Sequence, residues 1–193
     1  FLKDIASEID REKEIIDDLL MLTRMDNSVS TLNISLVNIN TLVERMLKKL
    51  TPLADEKNIE IVYESMRDIE AEVDDIKLTQ VVTNLVENAI KYNVPGGKVI
   101  VTLNADIDSF FLRIQDTGIG IPEEHQKNIF QRFYRVDKAR SRETGGTGLG
   151  LSIVDSIISS HGGQIKVVSK PVADGEKFGE TVFTIKIPLK HKK

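Results

Sequence analysis

Apolar residues along this chain change their spacing several times, and each change marks an element. In residues 1–26 the positions Leu2, Ile5, Ile9, Ile16, Leu19, Leu20 and Met25 recur at mixed three- and four-residue spacings, charges fill the gaps, and neither Gly nor Pro interrupts. That pattern predicts one long amphipathic helix. The turn-rich "DNSVST" breaks it off, so the helix is expected to be an appendage whose stripe packs on another helix, from a second copy or from its own domain. Alternation then predicts a short strand in "LNISLVNIN", and Asn40 or Thr41 with Glu44 supplies the start of a helix through "LVERMLKKLTPLADEKN". "IEIVYES" and "IEAEV" read as strands, "DDIKLTQVVTNLVENAIKYN" as a helix, and "GGKVIVTLNADIDSFFLRIQD" as two strands around a polar turn. Glycine-rich loops, a helix from about 149 to 161 and two strands, "GQIKVVS" and "ETVFTIKIP", close the chain. Strands joined as hairpins and mixed with three helices predict an α/β two-layer sandwich with its helices on one face.

Composition narrows this picture rather than changing it. With 193 residues, 40 % apolar and 29 % charged, the chain has the balance of one globular domain plus an appendage. No run approaches the roughly 18 to 20 apolar residues that span a bilayer, and the first residues lack a signal-peptide pattern. Zero cysteines exclude disulfides and thiolate metal sites, and His125, His161 and His191 show no zinc-ligand spacing. A formal charge of −4 argues against a general nucleic-acid partner.

Four stretches carry candidate chemistry. In "GGTGLGLSIV", Gly145, Gly146, Gly148 and Gly150 free the backbone to approach a ligand, and the helix that follows offers unpaired N–H groups. That is either a phosphate cradle or a flexible turn, and it matches neither a P-loop nor a dinucleotide fingerprint. In "DTGIGIP" a strand ends on Asp116, an acceptor for an amino group, with Gly118 and Gly120 able to wrap a flat ring; the plainer reading is an Asx turn. In "TNLVENAIKY", about 100° per residue puts Asn84, Asn88 and Lys91 on one stripe with Glu87 at its edge. A solvated helix face is the alternative, although two mid-helix asparagines cost propensity. "HQKNIFQRFYRVDKARSRE" sets Lys127, Arg132, Arg135, Lys138, Arg140 and Arg142 beside Phe130, Phe133 and Tyr134, as a phosphate clamp or simply a charged loop.

In this order the four stretches resemble the catalytic and ATP-binding part of bacterial sensor histidine kinases, within the wider family of gyrase, heat-shock protein 90 and mismatch-repair ATPases. "NLVENAIKY" resembles the N box, "DTGIGIP" the first glycine box, "NIFQRFYRVDKARSR" the F box and "GGTGLGLSIV" the second glycine box. The wording of the last two is similar to the cell-wall-regulating sensor kinases of Gram-positive bacteria. The resemblance implies a Bergerat-type fold, a mixed sheet of about five strands covered by three helices, over residues 29–193, with residues 1–28 as the second helix of a dimerisation and phosphotransfer domain. It implies ATP and Mg²⁺ as ligands, under a lid from about 123 to 147. Asn88 would ligate the metal, Asn84 support it and Lys91 reach a phosphate. Tyr92 would stack near the adenine, whose amino group would donate to Asp116, with Thr181 helping to hold the base. Gly118, Gly120, Ile121, Gly146, Thr147, Gly148, Leu149 and Gly150 would shape the walls, and Arg132 or Arg135 contact phosphates.

Hydrolysing members and the related serine kinases carry a glutamate four residues before the metal-binding asparagine, where this chain has Asn84. A nucleophile that needs little activation, such as histidine, suits that site, with Glu87 orienting the imidazole. No histidine sits in a Ser-His-Glu-like setting, so the phosphoacceptor helix is expected to be missing and the chain a fragment. The partners implied are that helix, a response-regulator protein and, in the full-length protein, a second copy. The localisation implied is the cytoplasmic portion of a bacterial membrane sensor. A nucleotide-sensing module without transfer, or an ATPase or serine kinase, are the alternatives. One departure is "SKPVADGEKFGET", longer than the glycine turn usual between the last two strands.

Overall fold

A computed structural model of the chain describes residue 16 and residues 32–136 and 147–191. Apart from residue 16, the long helix expected over residues 1–26 lies outside the described residues, as do Lys138, Arg140, Arg142, Gly145 and Gly146.

Strand β1 (Ser35–Asn38) leads into helix α1 (Ile39–Glu56). The helix starts earlier than the sequence suggests: Asn38 caps it, its side chain accepting the Thr41 N–H at 2.9 Å. Asn40, the expected cap, is buried instead and staples the helix to the next loop, donating to Ser65 Oγ and the Arg67 carbonyl and accepting the Ile69 N–H. Ile39, Leu42, Val43, Met46, Leu47, Leu50 and Ala54 form the buried stripe. Strands β2 (Glu60–Ser65) and β3 (Glu70–Val73) follow, then helix α2 (Asp75–Lys91), capped by Asp74, whose Oδ1 accepts the Lys77 N–H at 3.1 Å. Strands β4 (Lys98–Ala105) and β5 (Ser109–Asp116), a single helical turn α3 (Glu123–Gln126), helix α4 (Gly150–Ser160) and strands β6 (Gln164–Lys170) and β7 (Glu180–Pro188) complete the described chain.

The main sheet has five strands in the order β2-β4-β5-β7-β6. Its β2–β4 pair is parallel and the other three are antiparallel, so the sheet is mixed as expected. The remaining strands, β1 and β3, pair separately as a small antiparallel ribbon, and the Glu72 N–H donating to the Leu189 carbonyl at 2.8 Å ties that ribbon to the end of the sheet. Helices α1, α2 and α4 bury their apolar faces with one face of the sheet, where Val101, Leu103, Phe110, Leu112, Ile114 and Ile185 are enclosed. The strand alternation places the Lys98, Thr102, Arg113, Thr184 and Lys166 side on the opposite face. Asp116 falls on the inner face because it continues the Leu112, Ile114 alternation, and this is what buries an acid at the end of β5.

Candidate functional site

The fold collects most of the singled-out residues at one end of the sandwich, where β5 ends, α2 ends and α4 begins. Asp116 is 5 % exposed. Its Oδ1 accepts the Gly118 N–H at 2.9 Å, an Asx turn of the kind the plainer reading expected. The turn does not account for the burial. Burial pushes the Asp116 carboxyl up to about 7; the Gly118 N–H opposes this and the charge of Glu180 adds to it. Directly across the β5–β7 pair stands Thr181, also 5 % exposed and on the same face.

The first glycine turn is laid against the end of α2. The Ile119 N–H donates to the Tyr92 carbonyl at 3.1 Å. A Cβ at Gly118 would lie 2.3 Å from that carbonyl oxygen and 2.6 Å from Asp116 Oδ1, so only glycine fits. Gly120, at φ +71°, would drive a Cβ to 2.2 Å from the Lys170 carbonyl oxygen. Ile121 donates its N–H to Ser169 Oγ at 2.8 Å, and its carbonyl accepts from Gln126 Nε2 at 2.9 Å. The long β6–β7 loop closes on the same turn: Val172 N–H donates to the Ile119 carbonyl at 3.2 Å and Gly179 N–H to the Gly118 carbonyl at 2.8 Å.

On α2 the predicted stripe is real. Asn84, Asn88 and Lys91 are half-buried, Glu87 is exposed, and Val82, Leu85, Val86 and Ala89 face the core. Asn84 Nδ2 donates to the Gly150 carbonyl at 3.4 Å, which joins the stripe to the start of α4. Tyr92 caps α2 at 42 % exposure, with Lys91 Nζ 5.4 Å from its ring centroid. Burial raises the Tyr92 phenol, and the charge of Arg135 works the other way, which puts that arginine's field at this end of the molecule.

The second glycine stretch meets the aromatic-basic segment. Phe133, at φ 62° and 60 % exposed, donates its N–H to the Gly148 carbonyl at 2.9 Å. Gly148, at φ +74°, would carry a Cβ 3.0 Å from the Phe133 backbone. Thr147 Oγ1 accepts the Leu149 N–H at 3.1 Å, and Leu149 itself is fully buried. Arg132 is exposed and Arg135 half-buried. Gly146 lies outside the described residues.

Sequence reasoning missed a second layer of residues behind the acid. Ser169 Oγ donates to the Glu180 carbonyl at 2.6 Å and stands 2.9 Å from Thr181 Oγ1. Gln126 Nε2 donates to the Ser169 carbonyl at 2.8 Å, and Gln115 Nε2 to Glu180 Oε1 at 2.6 Å. The available signal was periodicity: in "QIKVVSK" the inner positions are Ile165, Val167 and then a serine.

Of the histidines, His125 meets Tyr134 through an Nδ1···Oη hydrogen bond of 2.6 Å, and His161 is a buried helix cap with both ring nitrogens engaged. Among the described residues no group of three or more His, Cys, Asp or Glu side chains could hold a metal ion, and no helix is long and apolar enough to cross a membrane.

The family model "Histidine kinase-, DNA gyrase B-, and HSP90-like ATPase" matches residues 73–191, and the chain belongs to that family. Sensor histidine kinase WalK of Bacillus subtilis (strain 168) is 34 % identical over 98 % of this chain, and sensor histidine kinase RppB of Synechocystis sp. is 37 % identical over 93 %. The chain spans only 30 % and 38 % of those two relatives' lengths. Among solved structures, the catalytic domain of histidine kinase ThkA superposes with a TM-score of 0.71 at 29 % identity, covering 82 % of this chain and 97 % of that one. Full-length ShkA in complex with AMPPNP gives 0.76 at 26 % identity, covering 93 % and 36 %. ThkA in complex with the response regulator protein TrrA gives 0.73 at 27 %, covering 96 % and 49 %. Within the family, then, the chain is a histidine-kinase ATP-binding catalytic domain.

Proposed function

We propose that this domain binds ATP with Mg²⁺ between α2 and the two glycine turns, and passes the γ-phosphoryl to a histidine on a dimerisation helix, for relay to an aspartate of a response regulator. The observation that carries the reading is Asp116: an acid buried at a strand end, beside a buried threonine hydroxyl, where the amide-bearing face of α2 ends. Such an acceptor pair fits the exocyclic amino group of adenine.

The half-buried Asn88 amide would hold Mg²⁺. A single amide ligand suits a metal that is bound chiefly through phosphates and water. Bound there, the metal would neutralise phosphate charge during transfer. Asn84 would keep the start of α4 in place, Lys91 would neutralise a phosphate oxygen, and Gly148 and Gly150 would bring backbone N–H groups to the phosphates. Arg132 and Arg135 would add charge from the segment before, and Tyr92 would flank the base. Glu87 would orient the incoming imidazole. The Asn84 side chain donates to the Gly150 carbonyl at 3.4 Å, and an amide cannot deprotonate water. A histidine nucleophile needs no such base, which favours transfer over hydrolysis.

The acceptor histidine is assigned to a separate helix because none of His125, His161 and His191 sits in a Ser-His-Glu-like setting, and His161 is enclosed while His125 is engaged with Tyr134. Residues 1–28 are read as part of the dimerisation element and 29–193 as the catalytic domain, in a protein that dimerises and is anchored in a bacterial membrane. The AMPPNP complex of ShkA and the ThkA complex with its regulator support the nucleotide and the partner class.

The test supplies a histidine-bearing helical hairpin in trans with labelled Mg-ATP. Acid-labile label on the hairpin, lost in Asn88→Ala and in Asp116→Asn, is the expected result. Tight ATP binding with no transfer would replace this reading with a nucleotide-sensing module.

A further inference from the structure

Ser169 sits on β6 where alternation points a residue at the core, after Ile165 and Val167. Three partners meet on its one hydroxyl. The Ile121 N–H donates to Oγ at 2.8 Å, the Glu180 carbonyl oxygen lies 2.6 Å away, and Thr181 Oγ1 lies 2.9 Å away. A serine hydroxyl owns one proton and two lone pairs. The Glu180 carbonyl only accepts and the Ile121 N–H only donates, so the Ser169 proton goes to the first and a lone pair takes the second. The remaining contact needs a proton, and only Thr181 has one to give. Any other assignment leaves two oxygens facing each other at 2.6 or 2.9 Å with no hydrogen between them.

Thr181 therefore spends its proton on Ser169 and offers lone pairs alone to its other surroundings. Its cross-strand neighbour is Asp116, whose ionised carboxyl is likewise an acceptor. The backbone donor at hand, the Gly118 N–H, is already committed to Asp116 Oδ1 at 2.9 Å. We propose that Ser169 is a positioning residue that fixes Thr181 as an acceptor, so that this wall admits a ring edge bearing an amino group and rejects one bearing a carbonyl. The inference rests on the ATP-binding reading above and deepens it, assigning discrimination between 6-amino and 6-oxo purine nucleotides to a residue that acts through Thr181.

The probes are ATP and ITP, which differ at the 6-position and in the ring proton that goes with it. Their affinities for the full chain are measured by calorimetry at pH 8. Wild type prefers ATP. In Ser169→Ala the Thr181 hydroxyl is released to turn and donate, and the ATP-to-ITP affinity ratio falls about tenfold, the size of one mismatched hydrogen bond. Ser169→Thr keeps the hydroxyl and keeps the ratio. A merely structural serine would weaken both nucleotides in proportion, and an unchanged ratio in folded Ser169→Ala overturns the proposal. Should Ser169→Ala not fold, Thr181→Val carries the test: the ratio falls there too, and an unchanged ratio overturns the proposal. A wild type that binds neither nucleotide overturns the ATP reading along with this one, whereas ATP binding with an unchanged ratio overturns this one alone.

Discussion

Asp116 and His161 are two titratable side chains enclosed by the same core, and the fold treats them in opposite ways. His161 is 2 % exposed, and both its nitrogens are used: Nδ1 donates to the Ile157 carbonyl at 2.7 Å and Nε2 accepts the Asp74 N–H at 3.0 Å. That arrangement requires the neutral ring. Burial lowers the His161 pKa, against the pull of the Ile157 bond and of Asp74. The imidazole thereby fastens the end of α4 to the start of α2. Asp116 has the same enclosure, yet the acid that results is held at about 7 chiefly by burial, with its Gly118 bond only partly relieving it. A polar group satisfied on every side is a fastener. A carboxyl kept near neutrality beside glycines that leave no room for a Cβ marks a place where a ligand donor belongs.

The largest expected effect tests that contrast at Asp116. Asp116→Asn replaces one acceptor oxygen with an N–H donor and removes the charge, and should weaken ATP binding roughly 10- to 100-fold, the worth of a charged hydrogen bond. The same change should stabilise the ligand-free fold at pH 8, because an ionised Asp116 is costly there. At about 1.4 kcal/mol per pH unit between the ordinary carboxyl value and the value in the fold, the gain is on the order of 4 kcal/mol. Urea melts and a nucleotide titration on one preparation check both. A variant that binds ATP normally, or that is destabilised, would make Asp116 another fastener.

His161→Ala should do the reverse. It strands the Asp74 N–H in the interior, removes a packed ring and should cost about 2–3 kcal/mol in urea melts. Folded His161→Ala should keep wild-type ATP affinity within about twofold, since only the junction of α4 and α2 is touched. A large affinity loss in a folded variant would put His161 in the site.

The pH dependence should separate the pair by sign, with a smaller effect. Asp116, whose pKa is raised on folding, contributes stability that is present below about pH 4 and lost as pH rises through about 7. His161, whose pKa is lowered, costs stability as pH falls below about 6.5, because the unfolded chain takes a proton that the folded imidazole refuses. In wild type the two slopes oppose one another as pH falls from about 6.5. The advantage of Asp116→Asn over wild type should shrink on acidification, and so should the deficit of His161→Ala, each by at most about 1.4 kcal/mol per pH unit. Urea melts at several pH values read both; parallel curves would contradict the two assignments.

How much of this could be read from the sequence follows from what kind of contact each feature is. The α2 stripe, the acid ending β5 and the glycine turns are local patterns whose period or spacing survives in any fold, and they were legible. The start of α1 was misplaced by two residues because Asn38 and Asn40 are equally good caps by type. Only the β2–β3 loop, which claims Asn40 for the Ile69 N–H, decides between them. The separate β1–β3 ribbon and the Asp74–His161 bond join residues far apart in the chain, and no local pattern encodes such pairs. Ser169 left a trace, a hydroxyl at an inward strand position, but its meaning depends on Glu180 and Thr181 lying across β7.

The smallest effect asks on which side of the comparison Gly150 belongs. It opens the helix that His161 closes, and its carbonyl accepts from Asn84. Unlike Gly118, it has room: a Cβ there would meet nothing closer than the Asn84 amide at 3.8 Å, and it has no left-handed φ to lose. Packing therefore does not demand a glycine, and alanine is the better helix former by up to about 1 kcal/mol. Gly150→Ala should leave stability unchanged or raise it by no more than that amount in urea melts. If ATP affinity falls in such a stable variant, the glycine is there for the backbone's approach to phosphate and Gly150 joins Asp116. A destabilised Gly150→Ala would instead place it with His161, as part of what holds α4 to α2.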